Sequence, residues 1–173
     1  KVDDMKRQVE ARNSPLSTVG LLTDSCCDLP QELLDRYQVH TVPLTVSSGG
    51  WEYLDKLTLK PGEIYTALRE TGRTFTTSQP AFGEFVKRYS FLKSCYDSVI
   101  SLHLSSALSG TWSVSRKAAS HAGGEKIHVL DSRNVSGALG LLVLKAAEAA
   151  AAGKSCPEIL EILRSAIPRT RIF

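Results

Sequence analysis

The sequence predicts an α/β fold with a mainly parallel sheet and helices on both faces. Short apolar runs typical of strands alternate with longer segments of helical periodicity from residue 17 onward. Alternation of this kind favours parallel strands joined by helical crossovers. A chain of 173 residues, 42% of them hydrophobic, is also long enough for one domain with a sizeable core.

The first half of the pattern opens with an apolar strand at residues 18–23, followed by a helix at 30–37. A capping-box pattern precedes that helix. A second strand is predicted at 39–46, and Pro43 within it suggests an edge strand or a bulge. The sequence SSGG at 47–50 predicts a turn, after which residues 51–54 return as a hairpin arm.

The second half is dominated by helices. Two further strands are predicted at residues 98–104 and 126–130, each a short apolar run. Helices are predicted from apolar spacing, from an Ala/Leu-rich run that stops at Gly153, and from the capping box SCPE at 155–158. The predicted helices cover residues 61–69, 81–89, 110–122, 137–152 and 159–167. The last residues, 170–173, resemble the start of another strand.

Composition and charge exclude several classes of protein. The net charge is only +3, and Lys and Arg are scattered, so we expect no nucleic-acid partner. Lys145 and Glu148 interrupt the longest apolar region, so no membrane span is expected. The four cysteines include no C-x-x-C pair, and the adjacent Cys26 and Cys27 are poorly placed for a mutual disulfide. Reduced thiols of this kind predict a cytoplasmic protein.

Hydroxyl-rich turns follow the predicted strands, and they are the most informative local feature. The sequence HLSSALSGT at 103–111 ends one apolar run, and similar turns occur at 23–25 and 131–136. A fourth cluster, TTSQP at 76–80, precedes the helix at 81–89. Unpaired N–H groups at helix starts, supplemented by hydroxyl donors, suit a carboxylate or a phosphate. The simpler alternative is that residues such as Ser109 only cap helices.

Motifs for catalysis are absent from the sequence. There is no Gly-rich nucleotide fingerprint and no G-x-S-x-G nucleophile elbow, and no histidine has metal-ligand spacing with another. His103 and His128 lie in strand patterns, where a hydrogen-bonded core histidine is the ordinary interpretation. We therefore expect no catalytic residue, no metal and no cofactor, and interpret the chain as a binding protein rather than an enzyme.

Four of these stretches together resemble the DegV family of bacterial fatty-acid-binding proteins. They are TDSCCDLP at 23–30, TSQP at 77–80, LSSALSGT at 104–111 and LDS at 130–132, in the family's order and spacing. The resemblance covers the chain from about Thr18 onward. It implies a two-lobed protein, of which residues 17–173 are the α/β N-terminal lobe without the second lobe. Residues 1–16 are then a polar tail or linker.

The resemblance implies that hydroxyls and backbone amides hold the carboxylate of a long-chain fatty acid. Thr77 and Ser78, together with Ser109 and Gly110, fall on the family's carboxylate-binding motifs. The other hydroxyl-rich turns add Ser25 and Ser106 as expected ligand-binding residues. The resemblance also implies a fatty-acid kinase as partner, either a separate subunit that phosphorylates the presented carboxylate or a fused kinase domain.

Two alternatives remain open beside the fatty-acid carrier. One is a phosphotransferase related to dihydroxyacetone kinase, motivated by Asp24 and Asp131 at predicted strand ends. The other is a structural role in which the hydroxyls only cap helices. The carrier hypothesis carries a geometric expectation. If both motifs lie in strand-to-helix loops of one parallel sheet, Thr77 and Ser109 converge at its carboxyl edge.

Overall fold

Two sheets organise residues 17–172, the part of the chain that the computed structural model describes. Four parallel strands form the larger sheet and three antiparallel strands the smaller. The strands are β1 (Val19–Asp24), β2 (Val39–Val42), β3 (Thr45–Ser48), β4 (Trp51–Leu54), β5 (Thr76–Ser78), β6 (Ser98–His103) and β7 (Ile127–Asp131). The helices are α1 (Gln31–Arg36), α2 (Pro61–Thr71), α3 (Phe82–Cys95), α4 (Thr111–His121), α5 (Ser136–Ala151) and α6 (Cys156–Ala166).

The larger sheet has the strand order β2-β1-β6-β7, and every neighbouring pair is parallel. Its central strand β1 is buried along its whole length, as expected of an apolar strand with helices on both sides. Successive side chains of β1 point to opposite faces, so Leu21 and Leu22 enter different hydrophobic clusters. The strands predicted at 18–23, 98–104 and 126–130 are confirmed.

Helices cover both faces of this sheet, which confirms the predicted fold class. One cluster packs α1, α5 and α6 against it through side chains such as Leu139 and Ile159, both completely buried. The opposite cluster packs α3 and α4, with Phe85 and Tyr89 at its centre. Each fully buried side chain of this size stabilises the fold by about 1.5–3 kcal/mol relative to exposure.

The capping box predicted before α6 is present. The backbone N–H of Ser155 donates to Glu158 Oε2 at 2.8 Å, and the Ser155 hydroxyl donates to the same oxygen at 2.6 Å. Pro157 lies in the first turn, where its missing N–H costs no helical bond. Among the helices of the described residues, none combines the length and the apolar character needed to cross a membrane.

The smaller sheet was only partly predicted. The hairpin of β3 and β4 was expected, but the strand predicted at 39–46 is two strands that belong to different sheets. Pro43 lies between them, because a residue without a backbone N–H cannot continue the ladder. Strand β5 was missed: it pairs with β3, and Thr77 lies opposite Val46.

Two predictions concern the ends of the chain. Residues 170–172 form no strand, so the strand start expected at 170–173 is wrong for those three residues. Instead the backbone N–H of Thr170 returns to Ala166 O at 3.1 Å, continuing the turn that follows α6. The predicted polar tail at 1–16 lies outside the described residues, as does Phe173.

Gly20 allows the ring of Tyr96 to lie directly on β1. A Cβ at this position would be 2.6 and 2.8 Å from two carbons of that ring, closer than van der Waals contact permits. Tyr96 is itself only 7% exposed, so the ring has little room to move. The absence of a side chain at residue 20 is therefore a packing requirement.

We expect Gly20→Ala to lower the free energy of unfolding by about 1–3 kcal/mol, the usual range for overpacking a buried site. The measurement is urea unfolding followed by circular dichroism. Gly137→Ala is the matched control, because a Cβ there meets no atom within 4 Å and α5 gains a better helix former. Equal stability of the two variants would contradict this account of the contact between Gly20 and Tyr96.

Candidate functional site

The loops that follow β1, β6 and β7 meet at the carboxyl edge of the larger sheet, as parallel strands require. Backbone bonds join the last two loops: Ser132 N–H donates to His103 O at 3.0 Å, and Ser105 N–H donates to Asn134 O at 2.8 Å. The hydroxyl-rich turns at 103–111 and 131–136 therefore form one continuous surface.

The loop from Ser105 to Ser109 is held by its own hydrogen bonds. The N–H groups of Leu108 and Ser109 donate to Ser105 O at 3.0 and 3.1 Å. The Ser106 hydroxyl donates to Asp131 Oδ2 at 2.6 Å, so it supports the loop rather than pointing a free proton at a ligand. A loop already fixed in this way loses little conformational freedom when a ligand binds.

The start of α4 presents unpaired backbone donors. The N–H groups of Gly110, Trp112 and Ser113 have no acceptor within residues 17–172. Ser109 Oγ accepts the N–H of Thr111 at 3.2 Å and lies 2.9 Å from the Thr111 hydroxyl. The helix-capping interpretation of Ser109 is thus partly correct, and its hydroxyl can still donate to an anion at the positive end of the helix.

The TSQP motif approaches this helix start from the smaller sheet. Gln79 lies against Gly110 so closely that a Cβ at residue 110 would be 1.9 Å from Gln79 Oε1. Thr77 and Ser78 are exposed on β5, and their side chains make no hydrogen bond to the described part of the chain. Two motifs separated by about thirty residues of sequence therefore meet through one glutamine.

The geometric premise for this meeting was wrong. Thr77 does not follow a strand of the parallel sheet; it lies within β5 of the antiparallel sheet. The approach to Ser109 and Gly110 comes from the way the second sheet is attached, not from parallel topology. Gln79 was not singled out among the expected site residues, and its place in the TSQP motif was the available signal.

Ser25 has a different environment from the other predicted ligand-binding residues. It is only 5% exposed, and its Oγ accepts the backbone N–H of Leu44 at 3.0 Å. This bond joins the loop after β1 to the chain as it passes from the larger sheet to the smaller. Its position makes Ser25 a link between the sheets rather than an exposed donor.

A chain of buried polar side chains runs beneath the site. Asp24 and His103 are both completely buried, with Asp24 Oδ2 3.0 Å from His103 Nδ1. The other ring nitrogen of His103 lies 2.7 Å from Ser101 Oγ. Tyr89 donates its hydroxyl proton to Ser101 Oγ at 2.8 Å and lies 2.5 Å from Ser115 Oγ on α4.

Donor counting assigns one proton in this chain. A carboxylate can only accept, so the ring nitrogen of His103 that faces Asp24, Nδ1, is the donor in this contact. Ser101, His103 and Asp24, joined by hydrogen bonds, are the three residue types of a catalytic triad, but all three are completely buried.

The Asp24 carboxylate accepts two further bonds from the backbone, from Leu104 N–H at 2.9 Å and from Cys26 N–H at 3.0 Å. Three donors for one buried carboxylate offset much of the free energy lost on removing it from water. Since Leu104 begins the loop at the site and Cys26 follows β1, Asp24 fixes both loops at once.

The remaining titratable groups of residues 17–172 show no reactive arrangement. The four cysteines are free thiols. Burial is the main cause that raises the pKa of Cys26 to about 12 and of Cys27 to about 11, so little nucleophilic thiolate forms near neutral pH. Within the described residues, no group of three or more His, Cys, Asp or Glu side chains is placed to hold a metal ion.

Comparison with known proteins gives matches to one protein family. The model of the DegV family, described as an uncharacterised protein family, matches residues 18–173. A DegV domain-containing protein of Caldanaerobacter subterraneus subsp. tengcongensis is 36% identical over 156 residues, which are 90% of this chain and 55% of the relative. The chain spans about half the length of the curated relatives it matches.

Solved structures agree with the sequence comparison. The crystal structure of DegV from Bacillus subtilis, a fatty acid binding protein, superposes with a TM-score of 0.83 at 33% identity, covering 88% of this chain and 54% of that one. A DegV family protein of Thermus thermophilus, described by its fatty acid binding, gives a TM-score of 0.79 at 36% identity, covering 87% and 53%.

We expect Asp24→Asn to lower the free energy of unfolding by about 1–3 kcal/mol. An asparagine keeps one acceptor oxygen, so its amide group must face one of the three N–H donors and leave it unpaired. Urea unfolding measures the change, and Asp97→Asn, which removes the same charge from an exposed position, should stay within about 0.5 kcal/mol of the unmodified chain. Similar values for both variants would refute the bridging role of Asp24.

The buried hydroxyl of Tyr89 should lower the stability of the fold at alkaline pH. Burial raises the pKa of Tyr89 from 10.0 to about 12, although its bonds to Ser101 and Ser115 partly oppose the shift. Below pH about 10 Tyr89 keeps its hydroxyl proton in both the folded and the unfolded chain, so its contribution to stability is fully present. Between about 10 and about 12 only the unfolded chain releases it, so stability falls as pH rises, by up to about 2–3 kcal/mol.

The measurement is the free energy of unfolding across this pH range. Tyr89→Phe should decline less steeply than the unmodified chain, whereas Tyr65→Phe, at a side chain that is 70% exposed, should follow the unmodified chain. Parallel curves for all three proteins would show that Tyr89 is not the group responsible.

Proposed function

This chain belongs to the DegV family, and from that membership we propose that it holds the carboxylate of a long-chain fatty acid. Ser109, Gly110 and the start of α4 form one side of the proposed site. Thr77 and Ser78 form the other. Ser106 supports the loop through Asp131, and Ser25 supports the junction of the two sheets.

The observation that carries the proposal is the group of neutral donors at the start of α4. Three unpaired N–H groups and the Ser109 hydroxyl lie where the helix dipole favours negative charge. Every donor in this group is uncharged, an arrangement that can hold a carboxylate or a phosphate. The descriptions of the Bacillus subtilis and Thermus thermophilus proteins as fatty acid binding favour the carboxylate.

An apolar side chain accompanies these donors. Leu108 precedes Ser109 in the loop and is 67% exposed. An acyl chain whose head group is bound at these donors could cover this side chain and remove apolar surface from water. The exposed leucine is therefore compatible with a fatty acid as the ligand.

A carrier role follows from the family resemblance. We infer that the chain serves a cytoplasmic protein that presents the carboxylate to a fatty-acid kinase, as a partner subunit or a fused domain. The exposure of Thr77 and Ser78 supports this role, since a phosphorylated carboxylate must be reached from outside. Covalent chemistry on the carboxylate then belongs to the kinase rather than to this chain.

The phosphotransferase alternative loses one of its two aspartates as an accessible acid. Asp24 is completely buried and accepts three hydrogen bonds from neighbouring groups. Asp131 is bound by the Ser106 hydroxyl and by the N–H of Arg133 at 2.8 Å. The two carboxylates therefore support loops, which favours the carrier over the enzyme.

We expect Ser109→Ala to weaken fatty-acid binding about tenfold, because one hydrogen bond to a charged group contributes about 1.5–3 kcal/mol. Thr77→Val, which keeps the shape and removes the hydroxyl, should act in the same direction. The measurement is titration with oleate, preceded by mass spectrometry of any lipid that copurifies with the protein.

Ser120→Ala is the control, because this serine lies near the other end of α4 and donates to Arg116 O. Its affinity for oleate should match that of the unmodified chain. Unchanged binding by Ser109→Ala, with a stability loss of about 1 kcal/mol, would favour the helix-capping interpretation. Heat released on titration with ATP and magnesium would instead favour the phosphotransferase.

A further inference from the structure

We propose that Lys56 and Asp28 are positioning residues that hold the smaller sheet, and with it Thr77 and Ser78, against the start of α4. This inference rests on the proposed function, because it assigns the pair a role in assembling the two sides of that site. Neither residue touches the ligand in this proposal.

The smaller sheet lies apart from the two hydrophobic clusters that pack against the larger sheet. Leu44 and Val46 are buried, but those clusters contain no side chain between Val42 and Phe85 among the described residues. Helix α2, which joins β4 to β5, buries none of its residues. The bonds of Arg73 to Ser48, at 2.8 and 2.9 Å, stay within this part of the chain. Polar contacts therefore contribute to the position of the sheet against the main body.

Lys56 makes the most extensive of these contacts. Its Nζ forms an ion pair with Asp28 Oδ1 and donates to Ser25 O at 2.7 Å. Asp28 Oδ2 accepts the hydroxyl of Ser136, at the start of α5, at 2.6 Å. One ion pair thus joins the loop after β4 to the loop after β1 and to α5.

The loop that carries Lys56 is itself well defined. Asp55 N–H donates to Leu44 O at 2.9 Å, and Lys56 N–H donates to Leu59 O at 3.0 Å. Lys56 has a φ of +60°, a left-handed conformation that residues with a side chain rarely adopt. The fold keeps this lysine in a disfavoured backbone conformation at the point where its side chain reaches Asp28.

The ion pair of Lys56 and Asp28 is suited to setting the position of the smaller sheet rather than to stabilising the hydrophobic core. Partial burial would raise the pKa of Asp28, but the bonds from Lys56 and Ser136 outweigh it and hold the pKa below its usual value. The Asp28 carboxyl group is therefore ionised at neutral pH. The side chains are 37% and 48% exposed, so salt can weaken their attraction, and such pairs contribute little to global stability.

The test compares oleate binding by Lys56→Met, Asp28→Asn and Lys56→Arg. We expect the first two to bind about three- to tenfold more weakly, with almost unchanged unfolding midpoints, and the arginine variant to retain most of the affinity. The exchanged pair Lys56→Asp with Asp28→Lys should recover affinity relative to Lys56→Asp alone. Binding by the unmodified chain should weaken as ionic strength rises from about 0.01 M to about 1 M.

Lys87→Met is the matched control, because it removes an exposed ion pair with Glu84 on α3. Its oleate affinity should equal that of the unmodified chain. Equal affinity of Lys56→Met and Lys87→Met would overturn the inference while leaving the proposed function intact.

A second readout needs no lipid. Hydrogen exchange should quicken in Lys56→Met for β3 and β5 and for the loop from Ser105 to Ser109, and stay unchanged for β1 and β6. Unchanged exchange in the smaller sheet would overturn the inference even if the unmodified chain binds no oleate. Quickened exchange together with an absence of oleate binding would support the positioning role and count against the proposed function.

Discussion

The buried carboxylate of Asp24 is the constraint on which the carboxyl edge of the sheet depends. It lies at the end of β1 and draws together Cys26 N–H from its own loop and Leu104 N–H from the loop after β6. Without Asp24 the Leu104 N–H would be unpaired in the interior, which is unfavourable by about 1–3 kcal/mol. The loop that leads to Ser109 begins at Leu104, which Asp24 holds. The position of the donors at the start of α4 therefore depends on Asp24, a buried residue that cannot contact the ligand.

The larger sheet was predictable because its signals are local. Apolar runs of five or six residues, each followed by a turn and a helical pattern, identify β1, β6 and β7 without knowledge of their partners. Strand β5 has no such signal: it is three polar residues long and exists because β3 lies beside it. Pro43 correctly marked an interruption, but nothing in its chemistry says that the chain changes sheets there.

The candidate site also has a part that the sequence predicts and a part that only the fold reveals. Ser109 and Gly110 are recognisable because a strand, a hydroxyl turn and a helix follow one another in sequence. The contact of Gln79 with Gly110 and the bond between Asp24 and His103 join residues far apart in the chain, so no sequence pattern specifies them. The burial of His103 was expected from its strand pattern, whereas its partners became known only from the fold.

The polar chain from Ser115 through Tyr89, Ser101 and His103 to Asp24 also constrains how this protein can change in evolution. Each member satisfies its neighbour, so replacing one by an apolar residue leaves the next without a partner in a dry interior. Substitutions along the chain should therefore be strongly non-additive. We expect these five positions, drawn from four separate elements, to be inherited together or replaced together in descendants of this sequence.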